Sequence, residues 1–114
     1  MKEILLVEED ISARMSLCNL LGKNGYKIVS LSSPRKALDL LYIYKPDLVI
    51  SGNKFHNDME GIEFGDEVKN LGIPFILTSG MLETVDRAKN KGIVAFNKPY
   101  DIKILLQAIR CTIQ

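Results

Sequence analysis

Three consecutive acidic residues near the start of the chain and one lysine near its end are the side chains best suited to chemistry. Glu8, Glu9 and Asp10 follow a short apolar run, and Lys98 precedes a proline. Such acids would repel a phosphate unless a divalent cation lay between them. No G-x-G-x-x-G or Walker sequence occurs anywhere in the chain. A mononucleotide-binding site is therefore not expected.

The elements that must position these residues are indicated by alternating apolar patterns. Short continuous apolar runs predict buried strands at residues 4–7, 48–50, 75–77 and 93–96, and a more alternating run at 26–31 predicts an edge strand. Helical spacing predicts a helix after each strand. Ser33 and Pro34 predict the start of the second helix, Asp101 caps the last one, and Ile102 is expected in its buried row.

The predicted order is five repeats of strand and helix, about twenty residues each, the length of a right-handed crossover. This order predicts an α/β fold, in which helices cover both faces of a five-stranded parallel sheet in a doubly wound, three-layer sandwich. No linker or low-complexity stretch interrupts it. We therefore expect residues 1–114 to form one domain, with no room for a DNA-binding or enzymatic output region.

The candidate side chains follow the predicted strands, whose carboxyl ends meet at one edge of the sheet. The three acids follow the first strand, Ser79 ends the fourth strand and Lys98 follows the fifth. Each residue alone has a simpler interpretation, with Asp10 and Ser79 as helix caps and Lys98 as a surface cation. Their joint placement at one edge favours a common site.

Composition excludes several classes of function. The 15 basic and 14 acidic residues give a net charge of +1, which leaves no basic excess for a nucleic-acid binder. The apolar runs are too short to span a membrane, and no signal sequence is present, so a cytoplasmic location is expected. Cys18 and Cys111 are expected to be reduced thiols, and His56 is the only histidine, so no zinc site is predicted.

With these motifs in place, the whole chain resembles the receiver (CheY-like) domain of two-component response regulators. The resemblance rests on the first strand with its acids, the strand leading to the phosphoacceptor, the Met-Asp-Gly-Leu-Glu stretch, the hydroxyl-small residue pair, and a Lys-Pro pair whose bond is usually cis. The matching residues here are 4–10, 46–51, 59–63, 74–80 and 98–99. The resemblance implies a flavodoxin-like sheet with strand order 2-1-3-4-5.

The resemblance also implies roles for individual residues. In the family, an aspartate at the end of the third strand takes a phosphoryl group from a histidine kinase, and a magnesium ion neutralises the charge. By this resemblance, Glu9 would bind the metal directly and Glu8 through water, with Asp10 completing the acidic pocket. Ser79 would be the switch hydroxyl and Lys98 the phosphate-pairing lysine.

The acceptor aspartate itself is missing. Counting from Pro46 places the acceptor position at Gly52, whereas counting back from Met59 with the commoner loop length places it at Asn53. We prefer Gly52, and neither residue carries a carboxylate. The family's aromatic switch position is occupied by Ala95. With the acceptor absent, Lys98 is expected to pair directly with Glu8 or Glu9.

The sequence thus predicts a non-enzymatic, phosphorylation-independent interaction module in a two-component pathway. A histidine kinase or another signalling protein is the expected partner, with no direct nucleic-acid or membrane contact. No cofactor is required, and at most weak magnesium binding is expected. By the resemblance, the contact face is formed by the fourth helix, fifth strand and fifth helix. Val85, Tyr100 and Ile104 are its exposed candidates, and ordinary packing is the alternative interpretation of all three.

Two alternatives remain open at this point. One is a working phosphoreceiver with a displaced acceptor, Asp58 or Asp10. The other is a flavodoxin-like enzyme that uses Glu8, Glu9 and Lys98 directly, with one acid of shifted pKa acting as a base.

Overall fold

The computed structural model describes residues 1–113, so Gln114 lies outside it, and it contains five parallel strands alternating with five helices. The strands are β1 (Glu3–Val7), β2 (Lys27–Leu31), β3 (Leu48–Ser51), β4 (Phe75–Ser79) and β5 (Val94–Asn97). The helices are α1 (Ile11–Lys23), α2 (Pro34–Leu41), α3 (Gly61–Asn70), α4 (Leu82–Asn90) and α5 (Ile102–Ile113). The sheet order is β2-β1-β3-β4-β5, which confirms the predicted doubly wound fold and the edge position of β2.

The sheet is buried on both faces because successive residues of a strand point in opposite directions. In β1, Ile4 and Leu6 pack into a cluster that includes residues of α1 and α5. Leu5 and Val7 pack into a second cluster with residues of α2, α3 and α4. All four side chains are at most 1% exposed. This double burial explains why the apolar runs are continuous rather than alternating.

The predicted helix boundaries are confirmed where a capping residue marks them. The Ser33 hydroxyl accepts a hydrogen bond from the Lys36 N–H at 3.2 Å, and Pro34 is the first helical residue of α2. Asp101 accepts from the Lys103 N–H at 2.8 Å at the start of α5. These caps satisfy N–H groups that have no partner within the helix.

The prediction that Ile102 belongs to the buried row of α5 is wrong. Ile102 is 39% exposed, whereas Leu105 and Ile109 are fully buried. The reason is its position in the first turn of α5, where it lines an open cleft beside Leu17 of α1 instead of packing on the sheet.

Among residues 1–113, no helix is both long and apolar enough to cross a membrane.

Candidate functional site

The structure brings five of the predicted site residues together at the carboxyl edge of the sheet. They line one cleft of about 280 Å³, which lies where the order of the strands reverses between β1 and β3. The five are Glu8, Gly52, Asn53, Ser79 and Lys98. Thr78, which is 4% exposed, also lines the cleft. The predicted convergence of three acids with a hydroxyl and a lysine is therefore found for one acid only, Glu8, since Glu9 and Asp10 do not line this cleft.

Glu8 and Lys98 form an ion pair in this cleft. Glu8 Oε1 lies 3.1 Å from Lys98 Nζ, and the two side chains are 14% and 38% exposed, respectively. The other carboxylate oxygen of Glu8 accepts a hydrogen bond from the Asp10 N–H at 3.1 Å. The predicted direct pairing of Lys98 with an acid is therefore present, and its partner is Glu8. Burial raises the pKa of Tyr100, and the nearby charge of Glu8 raises that pKa further.

The backbone around this pair is held by local hydrogen bonds. Arg14 Nη1 donates to the Glu8 carbonyl at 2.7 Å, so the loop after β1 is tied to α1. Asp10 is the N-cap of α1, since its carboxylate accepts from the Ala13 N–H at 2.8 Å. Of the two interpretations of Asp10, the structure supports the helix cap. Its carboxylate serves α1 and does not line the cleft.

Lys98 is positioned by β4 and by the turn that follows β5. Its N–H donates to the Ser79 carbonyl at 2.7 Å, and the Lys98–Pro99 peptide bond is cis, as the resemblance implied. Ser79 is 7% exposed, and its hydroxyl accepts from the Met81 N–H at 3.1 Å just before α4. Ser79 therefore lines the cleft and also helps to start α4.

Gly52 directly follows β3 and lies beside Glu8. The Gly52 N–H donates to the Val7 carbonyl at 3.0 Å, which continues the pairing of β1 with β3. A Cβ atom added at Gly52 would lie 3.2 Å from Glu8 Oε1. Position 52 therefore faces into the cleft, on the acidic side of the ion pair.

Asn53, the alternative acceptor position, lies in the loop after β3 and is hydrogen-bonded to the start of α3. Its side chain is 5% exposed, and its Oδ1 accepts from the Ile62 N–H at 3.0 Å. Its Nδ2 lies 3.4 Å from a carboxylate oxygen of Glu60, and its carbonyl accepts from the Gly61 N–H at 2.8 Å. The side-chain amide is thus committed to the backbone of α3.

Glu9 does not line the cleft that contains Gly52, although it follows Glu8 directly. Its carboxylate accepts a hydrogen bond from the His56 N–H and lines a neighbouring cleft of about 480 Å³ that also includes Asp58. Within residues 1–113, no group of three or more His, Cys, Asp or Glu side chains is arranged to hold a metal ion. The structure therefore separates the two acids that the resemblance assigned to one metal site.

Asp58 is occupied by hydrogen bonds on both carboxylate oxygens. One oxygen accepts from the Ser33 hydroxyl at 2.6 Å and the other from the Met59 N–H at 2.7 Å, while Arg35 Nε lies 3.9 Å away. Burial alone would raise the pKa of Asp58, but the hydrogen bonds and the Arg35 charge outweigh it and lower the pKa. The carboxylate thus fastens the loop after β3 to the start of α2.

Gly61 is a structural determinant of the site whose role the sequence reasoning missed. A Cβ at this position would lie 2.0 Å from the Gly52 carbonyl oxygen, so only glycine permits α3 to approach so closely. A glycine at the start of a predicted helix, following an acidic loop, was the available signal. Gly61 therefore sets the distance between α3 and the backbone of Gly52.

Of the two interpretations of Val85, exposure on the α4–β5–α5 face and ordinary packing, the structure supports packing. Val85 is 2% exposed because it packs on the same helix face as the buried Ala88. Ile104 is 53% exposed as predicted, and Tyr100 is half-buried with its ring centroid 6.3 Å from that of Phe96.

Comparison with known proteins identifies the class to which this fold and cleft belong. Residues 4–110 match the response regulator receiver domain, so the chain belongs to that family of two-component signalling domains. Two solved structures are closely similar to it in fold. The response regulator TrrA of Thermotoga maritima, in complex with Mg²⁺-BeF, gives a TM-score of 0.88 at 22% identity over 98% of this chain and 99% of that one. The signal receiver domain of a histidine kinase from Syntrophus aciditrophicus gives 0.88 at 26% identity, over 99% and 90%.

Two relatives are similar in sequence along nearly the whole chain. The transcriptional regulatory protein PdtaR of Mycobacterium tuberculosis is 31% identical over 117 residues, which cover 98% of this chain and 57% of that protein. Sporulation initiation phosphotransferase F of Bacillus subtilis is 28% identical over 114 residues, which cover 96% and 91%. The chain therefore spans little more than half the length of the first relative.

Proposed function

We propose that this receiver domain acts as a protein-interaction module whose signalling does not depend on phosphorylation of the cleft. The observation that carries the proposal is the residue at the expected acceptor position: Gly52 directly follows β3, and the lysine that would pair with a phosphate is paired with Glu8 at 3.1 Å. Glycine has no side-chain nucleophile. The neighbouring Asn53 offers an amide that is already bonded to α3.

The residues of the cleft do not fit a bound magnesium ion. Magnesium requires near-octahedral coordination and is usually held by one or two carboxylates. Glu8 has an ammonium group 3.1 Å from one of its oxygens, and Glu9 accepts from the His56 N–H outside the cleft. Any binding through Glu9 would therefore be weak, and the proposed function uses no metal.

The proposed partner is another signalling protein, such as a histidine kinase. The net charge of +1 supports neither direct nucleic-acid binding nor attachment to an anionic membrane surface. The part of the α4–β5–α5 face that remains available includes Ile104 and the half-buried Tyr100. A contact through this face would carry the signal without any change in the cleft.

The decisive experiment is incubation of the intact protein with acetyl phosphate in the presence of magnesium, followed by mass spectrometry. We expect no phosphoryl adduct. A stable acyl-phosphate adduct would overturn the proposal, and its loss in Asp58→Asn would assign it to the displaced acceptor. The geometry opposes that assignment, because the Asp58 side chain is 10% exposed and both of its oxygens accept hydrogen bonds.

A further inference from the structure

A second cleft, of about 360 Å³, lies between α1 and the turn that leads from β5 into α5. This volume is near the lower end of the range of about 300–1,000 Å³ that is usual for clefts holding small molecules. Its apolar walls include Leu6, Leu17, Leu20, Pro99, Tyr100 and Ile102. Its polar end is formed by Glu8, Thr78 and Lys98, which also line the cleft beside Gly52. The Glu8–Lys98 ion pair is therefore a wall that the two clefts share.

The fold leaves the apolar walls of this second cleft only partly covered. In α1, Leu21 is buried against the sheet, whereas Leu17 and Leu20, which line the cleft, are half-buried. On the opposite wall, Ile102 is 39% exposed. Apolar surface is more stable out of contact with water, so a ligand that covers these side chains gains binding free energy. The walls therefore favour a ligand with an apolar tail.

The polar end has hydrogen-bonding capacity that the ion pair does not use. A lysine ammonium group has three N–H donors, and within residues 1–113 the Lys98 group makes one hydrogen bond, to Glu8 Oε1 at 3.1 Å. A carboxylate can accept about four hydrogen bonds. The Glu8 carboxylate accepts one on each oxygen, from Lys98 and from the Asp10 N–H. This end of the cleft can therefore both donate hydrogen bonds to a ligand and accept them from it.

The charges at the polar end determine which head group fits. Because Glu8 and Lys98 carry opposite charges, an anionic ligand attracted by Lys98 is repelled by Glu8, and a cationic ligand meets the reverse. A zwitterion places one opposite charge against each of them. Tyr100 adds no charge, since burial raises the pKa of its hydroxyl and the charge of Glu8 raises that pKa further. A zwitterionic head group is therefore the best electrostatic match.

We infer that this cleft binds a small zwitterion with an apolar tail, of which an apolar α-amino acid is the simplest example. Its carboxylate pairs with Lys98 and its ammonium group with Glu8. Its side chain lies between Leu17 and Ile102. The inference goes beyond the proposed function, because it assigns a ligand to a cleft that the proposed function does not use.

The test is an amide NMR titration of the parent protein with four probes. L-Phenylalanine has both charges and an apolar tail. Hydrocinnamate lacks the ammonium group, phenethylamine lacks the carboxylate, and L-serine lacks the apolar tail. We expect L-phenylalanine to give saturable shifts of the Leu17, Tyr100 and Ile102 resonances, and each of the other probes to bind at least about tenfold more weakly.

Two substitutions at helix starts locate the ligand. Ile102 and Ile11 are the first residues of α5 and α1, both are exposed, and Ile102 lines the second cleft whereas Ile11 does not. We expect Ile102→Gln to weaken L-phenylalanine binding about tenfold and Ile11→Gln, the matched control, to leave it unchanged. Lys98→Met leaves Glu8 without its cationic partner, so phenethylamine should then bind at least as tightly as L-phenylalanine.

Absence of saturable shifts with L-phenylalanine at up to about 10 mM would overturn the inference. Equal affinity of the parent for hydrocinnamate or phenethylamine would also overturn it, as would equal losses in Ile102→Gln and Ile11→Gln. Shifts of the same resonances when the protein alone is concentrated would show that a second copy covers the cleft, which contradicts a small ligand. The comparison of probes uses the parent protein, so it decides the question even if a variant does not fold. Failure of the proposed function is a separate outcome, a phosphoryl adduct on the parent.

Discussion

Glu8 and Lys98 lie 90 positions apart in the chain, yet their charged groups meet at 3.1 Å at the carboxyl edge of the sheet. The pair joins the loop after β1 to the loop after β5, across the ends of β3 and β4. The negative charge of Glu8 and the positive charge of Lys98 cancel each other within the cleft. Lys98 is therefore held at this edge by a side chain of the protein itself.

Removing either charge of this pair is expected to destabilise the protein only modestly. For both Glu8→Gln and Lys98→Met we expect the free energy of unfolding to fall by about 1 kcal/mol, because Lys98 is partly exposed and solvent weakens the attraction. The loss should shrink when salt is added, since salt screens exposed charges. Urea unfolding at low and high salt measures this. Losses in both variants that are unchanged at high salt would contradict a role for the ion pair.

Gly61→Ala is expected to be among the most damaging single substitutions near the cleft. The added Cβ would lie 2.0 Å from the Gly52 carbonyl oxygen, so α3 must move away from the end of β3. We expect a loss of about 3 kcal/mol, at the upper end of overpacking effects. Thermal and urea unfolding measure this loss.

The matched control for Gly61→Ala is Gly22→Ala in α1. A Cβ at Gly22 would meet nothing within 4 Å, so alanine should stabilise the helix by up to about 1 kcal/mol. Similar effects of the two substitutions would contradict the close approach of α3 to Gly52.

Asn53 is expected to contribute to stability because its side chain accepts a hydrogen bond from the first turn of α3. Asn53→Ala removes the acceptor of the Ile62 N–H and should cost about 1–2 kcal/mol. Asn53→Asp keeps that acceptor but places a carboxylate beside Glu60, so it should also destabilise, by a smaller amount that decreases at high salt. An increase in magnesium affinity for Asn53→Asp would instead place the acceptor position at residue 53.

The lowered pKa of Asp58 predicts a loss of stability in acid. Because the folded pKa lies below the ordinary 3.8, the ionised carboxylate stabilises the fold above that value, and this contribution disappears as the pH falls through the folded pKa. Asp58→Asn should therefore be less stable than the parent by about 1 kcal/mol at neutral pH. The difference should close as the pH falls below 3.8. Urea midpoints across the acidic range test this, and a constant difference would contradict it.

Most of the fold was predictable because the pattern of apolar residues and the helix-capping residues both indicated the same strands and helices. The continuous apolar runs in β1, β3 and β4 reflect burial on two faces, and Ser33 marks a helix start by its own chemistry. Helical spacing alone cannot tell which apolar residue reaches the sheet. Ile102 was misplaced and Val85 was left with two interpretations for this reason, since their exposure depends on what each helix turn packs against.

The site was predictable in its location but not in its pairings. The ends of β1, β4 and β5 bring Glu8, Ser79 and Lys98 to one edge, as parallel strands require. The direction of each side chain determines which acid pairs with Lys98, and the side chains of Glu8 and Glu9 have different partners. Glu8 turns into the cleft, whereas Glu9 turns to the His56 N–H, and no spacing rule in the sequence distinguishes the two.

The most direct test of phosphorylation-independent function is the amide NMR spectrum of the parent protein, titrated with magnesium and beryllofluoride as a phosphoryl analogue. Thermotoga maritima TrrA, whose structure holds Mg²⁺-BeF, is the positive control for the reagents. We predict no saturable shift of the Gly52, Ser79 or Lys98 resonances, because the Glu8–Lys98 pair already fills the anionic role in the cleft. Saturable shifts at these residues that require both reagents would contradict the proposed function.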